Sequence, residues 1–276
     1  MKPNLLATLT VVAPIILWSC DESASTEQLL GVDPELIHNG KNHPGKGPGG
    51  PDGDSFALQF NGSTQSTQND DLDLGSTFTI ELWIKPDDVE RIDPRQDFVS
   101  KWGTGAEASY AFWLRGSTIR LSTRVEPTNT VTFGQTLLQN GVWQHIAAVF
   151  NNGTVRLYVN GVLDVETMGN FTPQNTPTPL SLGRQDAPSF TCCYYDGIMD
   201  EVRIWSVARS QKEIQKKMNK QLNTNRLPAG LIAYWRMDEG SGDTAFDLTG
   251  NGHDMRLGNA SGADAGDPVW VSPGKP

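Results

Sequence analysis

The chain has little of what nucleic-acid-binding, disulfide-stapled or helical proteins are made from. Its 276 residues carry 22 Lys and Arg against 32 Asp and Glu. A formal net charge of −10 excludes a phosphate-backbone partner, because that affinity rests on a basic footprint, so no nucleic acid is expected. Three cysteines, Cys20, Cys192 and Cys193, are too few and too badly spaced to tie distant strands together. His38, His43, His145 and His253 have no ligand-spaced partners, which argues against zinc. There is no G-x-S-x-G elbow and no phosphate-cradling loop. What is abundant is Gly (28) and Pro (17), scattered between short apolar runs, the punctuation of an antiparallel β protein.

The one long apolar stretch is at the start. Residues 1–19, MKPNLLATLTVVAPIILWS, place a Lys before an apolar run and small residues before Cys20, the layout of a signal peptide. The run is short for a spanning helix and is interrupted by Pro14. Leu17-Trp18-Ser19-Cys20 resembles the bacterial lipobox, with Trp18 larger than usual, and that resemblance implies lipidation of Cys20; ordinary cleavage beside an incidental Cys is the alternative. The expectation is an exported protein, lipid-anchored at the bacterial cell envelope. Residues 21–54 lack sustained apolar periodicity, so burial cannot offset their ordering entropy, and they are expected to form a flexible tether. As a flexible chain this segment would span on the order of 30 Å.

From Phe56 onward apolar residues alternate between turns. Phe78, Ile80, Leu82 and Ile84 share one strand face; Tyr110, Phe112 and Leu114 repeat the pattern opposite Trp113 and Arg115. Residues 143–150 are apolar on both faces, which predicts a central strand, and Asn151-Asn152-Gly153 then turns into Val155, Leu157 and Val159 as a hairpin. Ile198–Trp205 is a further strand. Ser210 and Glu213 have capping-box spacing ahead of Ile214, Met218 and Leu222, predicting one short amphipathic helix whose lysines form a solvated face. Residues 228–276 are too few to support a core alone and are assigned to the same domain, 55–276.

The strings ALQFNG (57–62), FTIELWIKP (78–86), WQHIAAVF (143–150), VRLYVNG (155–161), LSLGR (180–184) and DGIMDEVRIWSVARSQKEI (196–214) resemble, in order and spacing, laminin-G-like, concanavalin A-like jelly-roll domains. The resemblance implies an all-β fold, a two-sheet antiparallel jelly-roll sandwich. It departs at the C-terminus, where GLIAYWRMDEGSGDTAFDLTGNGHDMRLG resembles the opening of such a domain. Either the chain is circularly permuted, with 228–276 supplying the strands missing before Ser55, or the segment is the vestige of a repeat.

The resemblance also implies a structural Ca2+ where the Asp opening the last long strand meets the F-x-G turn, here Asp200 with Asn61 and Gly62, since calcium accepts carboxylate and main-chain oxygens alike. Asp238, Asp247 and Asn251 are further oxygen donors, although Asp and Asn in Gly-rich turns ordinarily accept from backbone amides. Laminarinase-type relatives carry an E-x-D-x-x-E strand; it is absent here, and Glu81 with Lys85 reads as a structural ion pair, so no enzyme is expected. A sugar site needs an aromatic platform beside fixed polar groups, and Trp113, Arg115, Tyr194 and Tyr195 are the candidates, set against ordinary packing. Cys192 and Cys193 are either free thiols or a vicinal disulfide. Asn61, Asn152, Asn170 and Asn259 begin Asn-x-Ser/Thr triplets that turn composition explains. The expected function is a non-catalytic envelope binding module for a polysaccharide or surface glycoprotein; a structural or adhesive protein with a protein partner is the alternative, and a divergent glycan hydrolase ranks below both.

Overall fold

The computed structural model describes residues 55–63, 67–69, 71–187, 190–258, 262 and 265–275, with the backbone alone for 67–69 and 190. The expected signal segment with Cys20, the expected tether 21–54 and Asn259 lie outside the described residues. One sheet comprises β1 (Ala57–Asn61), β3 (Thr77–Pro86), β8 (Gln144–Asn151), β9 (Thr154–Val159), β10 (Val162–Thr167), β14 (Asp196–Trp205), β15 (Leu231–Trp235) and β18 (Val269–Val271). The other comprises β2 (Thr67–Asn69), β4 (Gln96–Lys101), β5 (Tyr110–Arg115), β6 (Thr118–Val125), β7 (Thr128–Phe133), β11 (Leu180–Leu182), β16 (Thr244–Ala245) and β17 (Met255–Leu257). A small hairpin, β12 (Gln185–Ala187) and β13 (Phe190–Cys192), stands apart from both sheets.

The first sheet runs β10-β9-β8-β3-β14-β1-β18, with β15 also on β14; the second runs β16-β17-β2-β11-β4-β5-β6-β7. The alternation of Phe78, Ile80, Leu82 and Ile84 puts all four into one core with Phe98, Tyr110, Phe112, Leu114 and Leu121 of the facing sheet. Strand β8 lies between β3 and β9 and is buried almost throughout, with Ile146, Ala148 and Phe150 in the core and Ala147 and Val149 covered by Ile214, as its two apolar faces predict. Asn152 and Gly153 both take positive φ (46° and 86°), which gives the tight turn the twist its flanking strands require.

The C-terminal segment belongs to the same sandwich. Strand β15 extends β14, β18 extends β1, and β16-β17 extend β2, so it adds to both sheets. Strand β14 makes room for this by changing neighbours midway. Asp196–Met199 pair with β1, a bulge follows Asp200, and Val202–Trp205 pair with β15.

Two local expectations are corrected. The helix α1 spans only Gln211–Lys217, with the Ser210/Glu213 capping box formed; Met218 is its C-cap, and Leu222 lies beyond it, buried with Trp205, Leu231 and Tyr234. Ile214 alone among its residues is buried, against Ala147, Val149 and Tyr158 on the outer face of the first sheet. Glu81 does not pair with Lys85. Its carboxylate accepts from Arg209 Nη1 at 2.6 Å and from Trp205 Nε1 at 3.0 Å, because α1 brings Arg209 over β3.

Candidate functional site

Antiparallel pairing places one residue of each strand in a row across the second sheet. Asp97 of β4 faces Trp113 of β5, Trp113 faces Arg120 of β6, and Arg120 faces Phe133 of β7. These side chains point away from the core, since their neighbours Phe112, Leu114, Ile119 and Leu121 fill it. Arg95 joins the row from just before β4. Its guanidinium lies 4.5 Å from the Trp113 ring centroid and 5.8 Å from that of Trp102; Arg120 lies 5.0 Å from Trp113 and 4.8 Å from Phe133. The result is an alternating ladder, Trp102, Arg95, Trp113, Arg120, Phe133. Each contact is a cation–π interaction of about 0.5–2 kcal/mol. From β4 to β7 the row crosses three strand spacings, about 14 Å, an oligosaccharide's length rather than a single ring's.

The ladder is held rigidly at its middle and open at its ends. Trp113 Nε1 donates to Ser122 Oγ at 2.8 Å, and Asp97 accepts from Arg95 at 2.7 and 3.0 Å. Arg95 also donates to Gln185 Oε1 at 3.2 Å, and the Asp97 amide donates to the Cys193 carbonyl at 2.8 Å, which ties the β12-β13 hairpin beside the ladder. Cys192 and Cys193, at the end of that hairpin, are joined as a vicinal disulfide. Trp113 is only 5 % exposed, whereas Phe133 is 55 % exposed and Trp102 is half-buried.

The sequence candidates therefore separate. Trp113 is not an open platform: guanidiniums bracket its ring, and the exposed aromatic surface belongs to Phe133 and Trp102. Arg115 lies on the same face, two residues along β5, and is half-buried. Tyr194 is partly exposed, with its carbonyl accepting from Arg91. Tyr195 is withdrawn from the site, because it is fully buried against Phe60 and Phe98. Arg95, Trp102, Arg120 and Phe133 went unnoticed in the sequence, since each becomes significant only through the cross-strand register.

The implied calcium set does not fit. The strand β14 opens at Asp196, not Asp200, and Asp196 is the residue paired with Asn61. Asp200 lies four residues on, about 13 Å along the strand. It is buried, with its oxygens accepting from the amides of Glu201 (2.7 Å) and Lys275 (2.8 Å). Burial pushes its carboxyl well above the usual range. The main-chain oxygens of Gly62 and Tyr194, which a cation at the turn would use, already accept from the Arg91 guanidinium. Asp238 accepts from Phe56 N and Gln221 Nε2; Asp247 accepts from the amides of Tyr234, Thr249 and His253; Asn251 donates to the Ile232 carbonyl. All three hold local backbone, and Asp238 also meets the Gln221 and Arg236 side chains. Among the described residues no three His, Cys, Asp or Glu side chains converge as a metal site.

A second polar cluster lies under α1. Glu81, Glu201, Arg203, Arg209 and Tyr234 are buried together, and Glu201 accepts from both Arg203 and the Tyr234 hydroxyl. Burial pushes Glu81 up against the opposing pull of Arg209 and Arg203. Two clefts of about 330 and 220 Å³ flank the helix and share Arg209, whose guanidinium is committed to Glu81 and the Glu213 carbonyl. Equal numbers of carboxylates and guanidiniums locked in mutual hydrogen bonds make this cluster an anchor for α1.

Comparison with known proteins agrees with this architecture. The model of the concanavalin A-like lectin/glucanases superfamily, of laminin G type, matches residues 60–215, and the chain belongs to that family. A putative carbohydrate binding protein from Bacteroides ovatus superposes with a TM-score of 0.59 at 17% identity, over 79% of this chain and 60% of that one. The chain thus accounts for less than two thirds of that protein. The CBM40 of the Ruminococcus gnavus IT-sialidase superposes with a TM-score of 0.50 at 11% identity, over 59% of this chain and 97% of that one. A heptameric SAP-like pentraxin from Limulus polyphemus gives 0.47 at 16% identity, over 58% and 80%. No curated protein matches the chain significantly.

Proposed function

We propose that this domain is a non-catalytic glycan-binding module whose site is the outer face of β4 to β7. The observation that carries it is the ladder: a prepaid, rigid row whose centre is locked by Asp97, Ser122 and two guanidiniums, and whose ends leave Phe133 and Trp102 open to a sugar face. Such preorganisation favours binding because little ordering remains to be done. The fold that this chain shares with carbohydrate-binding proteins supports the reading. Affinity electrophoresis in gels containing polysaccharides tests it. Retardation by a polysaccharide that disappears in Phe133→Ala, with the circular dichroism spectrum unchanged, is the expected result; retardation that Phe133→Ala and Trp102→Ala leave intact would remove the ladder from the site.

The module is proposed to stand at the cell envelope on a lipidated Cys20, as the lipobox-like string implies. Loss of the protein from the membrane fraction in Cys20→Ala checks this. A second reading, an adhesive protein with a protein partner, draws on one observation. The edge strands β7 and β10 meet through the Thr132 and Thr167 hydroxyls at 2.6 Å, and Phe133, Leu137, Val162 and Leu163 are exposed along or beside them. Cross-linking of intact cells that captures a protein through this edge, without glycan retention, would favour it.

A further inference from the structure

The arginines of this acidic chain are mostly neutralised where they stand. Arg95, Arg124, Arg156, Arg184, Arg203, Arg209 and Arg236 each meet a carboxylate at ion-pair distance. Arg115 and Arg120 do not: among the described residues neither forms an ion pair, and unlike Arg91, which also lacks one but donates to the carbonyls of Gly62 and Tyr194, they stand on the open face of the sheet. The nearest carboxylate in the row, Asp97, is held by Arg95 through both oxygens and lies two strands from Arg120. Yet the two cations are placed together. They sit on one face of the β5-β6 hairpin, and Arg120 Nη2 donates to the Arg115 carbonyl at 3.3 Å.

Arg120 is also incompletely satisfied. Its Nε is buried with no hydrogen-bond partner, while its guanidinium lies between the rings of Trp113 and Phe133. Burial, and after it the Arg115 charge, lower its proton affinity. Two guanidiniums without a counterion, beside an exposed aromatic ring, disfavour the free protein and favour any ligand that supplies the missing charge. A neutral sugar would leave that imbalance in place.

We infer that the glycan taken by this face is acidic, with a carboxylate or sulfate group bound by the guanidiniums of Arg115 and Arg120 while the adjoining sugar ring lies on Phe133. The inference rests on the glycan-binding reading above and narrows it to one ligand class. Because the protein carries a net charge of −10, long-range repulsion from polyanions works against such binding, and retention has to come from a local site.

The test uses the full-length protein in detergent, at physiological ionic strength, with four polymers. Polygalacturonate presents carboxylates and dextran sulfate presents sulfates; carboxyl-reduced polygalacturonate and plain dextran are their neutral counterparts. Binding to at least one acidic polymer about tenfold tighter than to its neutral counterpart is expected, with that advantage lost in Arg115→Gln and in Arg120→Gln. Comparing carboxylate with sulfate identifies the anion. Because Arg120 supports Trp113, Arg115→Gln and the chemically reduced polymer keep the test independent of folding. Equal affinity for acidic and neutral polymers, or an acidic preference that survives Arg115→Gln, overturns the inference. Neutral retention equal to the acidic and lost in Phe133→Ala would overturn it while leaving the glycan-binding reading standing; retention of no polymer at all would bring down both.

Discussion

Arg120 stands directly across the β5-β6 pair from Trp113, with its guanidinium 5.0 Å from the centre of the indole. That single pairing gives the two residues different duties. Trp113, almost fully buried, holds the sheet face together; Arg120 passes the contact on to Phe133, which meets solvent.

The division predicts opposite outcomes for two alanine substitutions. Trp113→Ala removes a buried indole and the surface on which Arg95 and Arg120 rest, and is expected to cost about 3–5 kcal/mol in chemical denaturation. Phe133→Ala, at a 55 % exposed position, should change stability by less than about 1 kcal/mol while abolishing retention by polysaccharide. If the stability losses are similar, the two duties are not separate.

Arg91 carries a prediction about metal. Its guanidinium already satisfies the carbonyls of Gly62 and Tyr194, so calcium and EDTA are both expected to leave the melting temperature unchanged, whereas a ligand bound only by the folded state would raise it. Arg91→Ala is expected to cost about 1.5–3 kcal/mol, the range for hydrogen bonds to a charged group. The same variant should raise the pKa of Asp196 further. That carboxyl already lies above its ordinary value because burial, together with Asp87 and Asp88, outweighs the pull of Arg91. A calcium-dependent rise in melting temperature of the unaltered protein would contradict the assignment of Arg91 to the cation's place.

His145 should make stability fall in mild acid. The imidazole, on β8, is buried beside Trp83 and Glu81 of β3, and burial, followed by the charges of Arg203, Arg209 and Lys275, holds its pKa well below the usual value. Between the unfolded value near 6.5 and the lower folded one, the unfolded chain binds a proton that the folded chain refuses. Stability is therefore full above about pH 6.5 and is lost as pH falls, by about 1.4 kcal/mol per unit. His145→Gln should remove that slope whatever its constant cost; equal slopes from pH titration of the two proteins would show that His145 is protonated in the fold.

Gly183 follows β11 at φ 77°, where an added Cβ would lie 2.3 Å from Phe60 Cδ1 and Cε1. Phe60 is fully buried and packs on Tyr195, so it has nowhere to move. Gly183→Ala combines a left-handed backbone with an overpacked core and should destabilise by about 2–4 kcal/mol in urea denaturation. A loss below about 1 kcal/mol would mean that the turn rearranges.

Much of the fold was legible because period-two burial leaves its mark residue by residue. Phe78, Ile80, Leu82 and Ile84 declare one face without reference to any partner, and Ser210 with Glu213 declares a helix start over three residues. The site was legible only in part. The turns Gly116-Ser117 and Glu126-Pro127 fix the registers of β5-β6 and β6-β7, so the Trp113, Arg120, Phe133 row could have been counted from them. Arg95 and Trp102 could not, since they flank β4 and reach the row through side-chain length. Tyr194 and Tyr195 show the same limit: one is partly exposed and the other fully buried, and composition alone makes both candidates.

Residue order by itself determined that two antiparallel sheets would close over an apolar layer between Phe56 and Trp205, because alternation along a strand has no other low-energy use. Which carboxylate meets which turn, which carbonyls Arg91 reaches beside Gly62, and where Arg115 and Arg120 stand relative to the carboxylates were decided only when distant strands came together. Those are matters of separation in space, and electrostatics and stacking depend on ångströms that chain position does not encode.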